Sequence, residues 1–315
     1  MAVNTSKDSF VPPRKILPPP RLSQRRRTVE AVIQGLLFLS ALSAVFITLA
    51  TIFVLVNESV LFFRHVSIID FVTDTQWTIM FEDKHYGIAP LLTGTLVTSV
   101  IGLLVAVPLG TTIAIYLSEF APFRVREFIK PILELLVGVP TVVFGYFALL
   151  FVTPLLQKFI PSLPGFNMLG PGIVIGIMIT PYISSVAEDA MRAVPMHLRE
   201  GAYAMGSTRF RTATSVVVPA ALSGIIAAYV LGVSRAVGET MVVALAAGQQ
   251  PNLTLNPMEP AATITSFIVQ VALGDLPHGS LEYQSIFAAG LVLMLMTLGF
   301  NVLGHLLRRR FREVY

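Results

Sequence analysis

Long apolar runs separated by short polar stretches set the pattern of this chain. A helix needs about 20 largely apolar residues to cross a hydrocarbon core. Six runs qualify, at about 32–56, 91–117, 132–156, 169–187, 219–247 and 285–307. The second to fifth carry breakers, Pro108 and Gly110, Gly138 and Pro140, Gly176 and Pro181, Gly232 and Gly238. Such residues are tolerated in spans where neighbouring helices cover the freed backbone groups. Gly172 and Gly176 form a GxxxG, read here as ordinary close packing of membrane helices. A twelve-residue apolar stretch at 262–273 is too short to span and reads as a re-entrant or surface helix.

The polar stretches orient the spans. Arg124, Arg126 and Lys130 lie in one loop, Arg192, Arg199, Arg209 and Arg211 in the loop 188–218, and Arg308, Arg309, Arg310 and Arg312 at the C-terminus. The alternate loops are poor in cations: 57–90 holds Arg64 and Lys84 against five acids, 157–168 only Lys158, and 248–284 none. Loops rich in Lys and Arg stay in the cytoplasm, so both termini and the loop 188–218 are expected there. Residues 57–90, with the only Trp, Trp77, read as a compact extracytoplasmic segment that either meets a soluble partner or caps the bundle.

Composition agrees. The chain of 315 residues is 54% hydrophobic and 13% charged, an integral-membrane balance. The net charge of +4 is no sign of nucleic acid, because the cations cluster at the loops and tails just named. The absence of Cys excludes disulfides and thiolate sites. Residues 1–30, rich in Pro and basic residues and ending in Arg25, Arg26 and Arg27, read as a disordered cytoplasmic tail ahead of a transmembrane domain at 31–315.

Two stretches carry candidate chemistry. In the fifth run Arg235 and Glu239 stand four residues apart, a spacing that puts them on one helix face. Charges inside a span face a bundle interior or a water-filled path. The guanidinium fork binds a tetrahedral oxyanion through two oxygens, with Ser234 and Thr240 as further hydroxyl donors. The pair reads either as an anion site or gate, or as a self-neutralising ion pair between helices. The second stretch, 200–219, has a short helix-forming piece with a small-residue face (Gly201, Ala202, Ala204), a break at Gly206, and Pro219 at the start of the next apolar run. It reads either as a docking helix for a soluble partner or as a surface helix between spans.

The second stretch resembles the EAA loop of ABC-importer permeases, E-A-A-x3-G-x9-I-x-L-P. Glu200, Ala202, Gly206 and Pro219 match, with Gly201, Val216 and Val218 as smaller or like-sized replacements. The phrase SRAVGETM at 234–241 and the stretch 114–149 are similar to the membrane permeases of the bacterial high-affinity phosphate ABC importer, from about residue 30 to the C-terminus. The resemblance implies an all-α, six-span permease of the MetI-like fold in the bacterial inner membrane. It implies a heterodimer with a sister permease (PstA), two copies of an ATPase (PstB) that bind ATP and Mg, and a phosphate-binding protein (PstS). Glu200, Gly201, Ala202 and Gly206 would meet the ATPase, and Arg235 and Glu239 would be critical for transport. No P-loop, HExxH or GxSxG motif occurs, so no catalytic residue, metal or cofactor is expected in this chain. The alternatives are a permease for sulfate, molybdate or a phosphonate, or an ion-coupled anion transporter or channel.

Overall fold

The computed structural model describes residues 24–79, 82–274, 276–277 and 279–310. Among them every regular element is helical, apart from one antiparallel bridge between Trp77 and Tyr86. The chain falls into two units, 1–53 and 54–315. The described part of the first is most of a 40-residue helix, α1 (Gln24–Phe63), whose apolar side chains from Val32 to Phe53 are almost all exposed, as on a helix that faces lipid. Most of the Pro-rich tail, through residue 23, lies outside the described residues. Within the described residues the helix runs from Gln24, and QRRRTVEAV contains only residues a helix accepts.

The second unit is built on α7 (Leu169–Arg192). Fifteen of its residues are buried, including Val174, Ile175, Ile179 and Ile183. Along it lies α3 (Ala89–Ile115), which ends in a π turn, Tyr116–Phe120. The GxxxG glycines make this crossing close: a Cβ on Gly176 would stand 2.7 Å from the Gly102 carbonyl oxygen, and one on Gly102 3.3 Å from the Gly172 carbonyl oxygen. The third element of the core is α11 (Leu222–Val237), whose Gly232 seats against Ile179 and Ile183.

Among the described residues five helices are long and apolar enough to cross a membrane, and there are six if a bent pair counts as one span: Arg209–Ala220, made of α9 (Arg209–Thr212), a π turn and α10 (Val218–Ala220), with α11. Two of the expected spans are corrected. Residues 132–137 do not belong to the third span. They end α4 (Phe123–Val137), an amphipathic helix with no buried residue, and the span itself runs Thr141–Phe159 through α5 (Thr141–Phe147), a π turn and α6 (Thr153–Phe159). Pro140 is the cause: it lacks an N–H, forces Val139 out of the helical region, and caps α5 from outside. The fifth run, 219–247, is likewise not one helix. It bends by 73° at Ala221 and stops at Val237. After Gly238, Glu239 and Thr240 the chain resumes as α12 (Met241–Ala246).

The short helix expected at 262–273 is present as α13 (Ile264–Ala272), closed at its N-terminus by a capping box of Thr263 and Ser266. It enters the bundle, with Ile264 N–H donating to Thr95 Oγ1 at 3.0 Å. Gly94 admits it: a Cβ there would lie 2.3 Å from the Ala262 carbonyl oxygen. Gly94→Ala is therefore expected to force the two backbones apart and cost about 1–3 kcal/mol, read as a lowered melting temperature of the purified complex in detergent. An unchanged melting temperature would show that this end of α3 yields freely.

Residues 64–88 close the same end of the bundle. Helix α2 (Ile68–Thr73) is capped by Ser67, and Phe62, Phe71, Trp77, Tyr86 and Phe267 form an edge-to-face aromatic cluster. Trp77 is buried, which fits its reading as a cap. Asp74 accepts a hydrogen bond from His85 Nδ1 at 2.8 Å, and this bond raises the His85 pKa above its ordinary 6.5. A raised folded-state pKa adds stability that is complete below the unfolded value and disappears as pH rises through the folded one. Amide protection across 74–79 and 82–88 is thus expected to fall as pH rises above the ordinary histidine value of 6.5 and through the higher folded-state one, after correction for intrinsic exchange. His85→Gln should flatten the profile; a fall of the same size in that variant would sink the assignment.

Candidate translocation and coupling sites

Arg235 sits in the last turn of α11. Glu239 does not share its helix face, because Gly238 ends the helix between them. Among the described residues no ion pair joins the two, and the self-neutralising pair is not the arrangement seen. The Arg235 guanidinium instead lies over the ring of Tyr182 on α7, 5.6 Å from its centroid. Its Nε is buried without a hydrogen-bond partner. Tyr182 also lines a cavity of about 240 Å³ between α4 and α7, together with Lys130, Glu134, Ser185 and Glu188.

Glu239 is 4% exposed and has another task. Its carboxylate accepts from Val242 N–H at 3.3 Å, satisfying a free amide at the start of α12. Its carbonyl accepts from Thr265 Oγ1 at 2.7 Å, which ties the break to α13. Thr240 Oγ1 donates to the Gly238 carbonyl, and Ser234 Oγ donates to Asn301 Oδ1 on α14 (Leu281–Arg310). Of the four candidate residues, Arg235 alone keeps an uncommitted buried donor. A buried donor without a partner is costly, and any hydrogen-bond acceptor that reaches it, an oxyanion among them, would satisfy it.

The candidate coupling residues lie together on the surface. Helix α8 (Met196–Ala204) has no buried residue; Glu200, Gly201 and Gly206 are exposed and Ala202 is half-buried. Gly206 has φ +79°, where only glycine sits without strain, and it ends the helix with Ser207 N–H bonded back to the Ala202 carbonyl. Gly201 has open space where a Cβ would go. Beside them Met196, Tyr203, Met205 and Phe210 are exposed, Met205 at 88%. Exposed apolar side chains of this kind are what a docked partner would cover.

Beneath the surface are two charge clusters that sequence reasoning counted only as orienting charges or did not single out. Glu188 on α7 is fully buried; Arg126 Nε lies 2.7 Å and Lys130 Nζ 3.2 Å from its carboxylate, with Arg192 at 3.8 Å. Burial by itself would lower the Lys130 pKa, but its hydrogen bonds to Asp189 and Glu188 raise it. Arg199 on α8 pairs with Glu119 in the π turn that ends α3. The available signal was an acid at the C-terminal end of two of the apolar runs, Glu119 in YLSEF and Glu188 in SSVAED, next to loops of Arg and Lys.

Residues 106–313 match the family of binding-protein-dependent transport system inner membrane components. The chain is 38% identical to a Bacillus subtilis protein described as a probable ABC transporter permease, YqgH, over 76% of this chain and 77% of that one. It is 32% identical to the phosphate transport system permease protein PstC of Xylella fastidiosa, over 77% of this chain and 79% of the relative. The PstC of Mesorhizobium japonicum is 35% identical over 72% and 74%. Among solved structures, an inward-facing form of the MetNI methionine ABC transporter overlays with a TM-score of 0.53 at 17% identity, covering 72% of this chain and 95% of that chain, which establishes the MetI-like fold. With the family match spanning more than half of its length, this all-helical, multi-pass membrane protein belongs to the binding-protein-dependent transport system inner membrane components.

Proposed function

We propose that the chain is the membrane-spanning permease of an ATP-driven phosphate importer. The observation that carries this reading is its identity of more than 30%, over most of its length, with permeases named for phosphate transport. The Arg235 donor without a partner, deep in the bundle, supports it. In this proposal the chain lies in the bacterial inner membrane with both termini and α8 in the cytoplasm, as the loop charges orient it, and its first 30 residues form a cytoplasmic tail. It pairs with a sister permease of the PstA type, and a PstS-type binding protein delivers phosphate at the end capped by 64–88. A PstB-type ATPase dimer, which holds the ATP and Mg, receives the Glu200–Gly206 surface. This chain supplies path and coupling and performs no catalysis.

Phosphate passes near Arg235. With Glu239 committed to the α12 cap, the guanidinium is held by an aromatic face, which keeps its charge and its donors available. Tyr182 also lines the cavity between α4 and α7, whose wall carries Lys130 together with Glu134 and Glu188.

The test is uptake of labelled phosphate and labelled sulfate at micromolar substrate, in cells with and without this chain. Loss of phosphate uptake alone is expected. Loss of sulfate uptake instead would retain the permease and replace its substrate. Phosphate uptake that persists after deletion of the ATPase but still requires this chain would make it a channel or ion-coupled transporter.

A further inference from the structure

We propose that Arg199 and Glu119 form the strut that transmits motion of helix α8 into the bundle. This rests on the reading of α8 as the ATPase contact, and it names the residues through which that contact acts.

A nine-residue helix with no buried residue has little stability of its own. Something must hold α8 to the bundle if a push on it is to move anything. The structure places one guanidinium there. Arg199 Nη2 donates to Glu119 Oε1 at 3.0 Å and Nε to Glu119 Oε2 at 3.4 Å. Nη1 donates to the Val194 carbonyl at 2.6 Å, and Nη2 also to the Met191 carbonyl at 2.9 Å. The two side chains are 11% and 7% exposed. One planar group thus joins the end of α3, the last turn of α7 and the link after it to α8.

The acid is also held in place. Glu119 lies in the π turn Tyr116–Phe120, where the wider register turns the carboxylate off the line of the preceding helix, and Ser118 Oγ donates to Glu119 Oε1 at 2.8 Å. Charge-assisted bonds in a water-poor site are strong and directional. A displacement of α8 therefore either carries the ends of α3 and α7 with it or breaks several such bonds at once. The two helices that move are the pair crossing at Gly102, Gly172 and Gly176, and α7 carries Tyr182, the ring beneath Arg235. Met191 stands nine residues beyond Tyr182, about 14 Å along the helix. The strut so connects the ATPase contact to the phosphate path through rigid, continuous elements. A lysine cannot replace the fork, since its single ammonium cannot meet two carboxylate oxygens and two carbonyls in one plane.

The experiment uses the complete importer reconstituted in vesicles with its ATPase, sister permease and phosphate-binding protein, and measures phosphate transported per ATP hydrolysed. Arg199→Lys and Glu119→Gln are expected to lower this ratio at least about tenfold, the loss of one or two charged hydrogen bonds, while the complex assembles and ATP is still hydrolysed. An unchanged ratio in both variants would overturn the proposal. So would failure of both to assemble, because the pair would then be a folding staple. Met205→Asp tests the underlying reading separately. If it leaves the ATPase bound and transport intact, α8 is not the contact and the strut falls with it. If it releases the ATPase while Arg199→Lys keeps its full ratio, the contact stands and the strut alone fails.

Discussion

Arg235→Gln is expected to leave the importer assembled and to reduce phosphate transport about a hundredfold. The first half follows from what Arg235 does not touch. Among the described residues it has no ion-pair partner and its guanidinium lies over the Tyr182 ring, so removing the charge strands no buried acid. A glutamine, two bonds shorter, keeps the packing of the aliphatic stem. The second half follows from what is lost. Each charge-assisted bond to an oxyanion is worth roughly 1.5–3 kcal/mol, and glutamine supplies neither the charge nor the two-pronged donor. Arg235→Lys should fall between the two, with the charge kept and the fork lost. The check is uptake of labelled phosphate together with co-purification of the ATPase. Wild-type uptake by an assembled Arg235→Gln complex would remove Arg235 from the path.

Glu188→Ala is expected to act on folding. The carboxylate is fully buried and faces Arg126 and Lys130 on α4 and Arg192 one turn on in α7. Breaking such a cluster from its common partner destabilises by about 3 kcal/mol, softened here because the three cations are partly exposed and can turn toward water. The loss falls on the contact between α4 and α7, since α4 has no fully buried residue and only the half-buried Leu136 packs it against the core. A lowered melting temperature and reduced yield of the assembled complex in detergent should follow, with proteolysis inside 123–137 as the local signature. A variant as stable as the wild type would show that α4 is held by other means.

These two outcomes separate what is local in the chain from what is not. The apolar runs, the short helix at 264–272, the glycine-terminated α8 and its EAA spacing are all legible in the sequence, because periodicity, length and turn chemistry act over a few residues. The breaks were legible as residues but not as breaks. Pro140 and Gly238 lie inside apolar runs of spanning length, and a hydropathy pattern has no means of telling a tolerated kink from an ended helix. Once Gly238 ends α11, the four-residue spacing of Arg235 and Glu239 ceases to mean a shared face.

The sequence by itself determined the class of molecule. Burial in lipid demands long apolar helices joined by polar loops, and those demands are written residue by residue. Only the tertiary structure decided the partners of the charges: Arg235 over Tyr182 from another helix, Glu239 spent on a helix cap, Glu188 among Arg126, Lys130 and Arg192, and Glu119 beneath Arg199, eighty residues away in the chain. A buried charge takes whatever counter-charge or donor the packing of helices brings within about 3 Å. That choice depends on crossing points such as Gly102 against Gly172 and Gly176, which no stretch of sequence specifies alone.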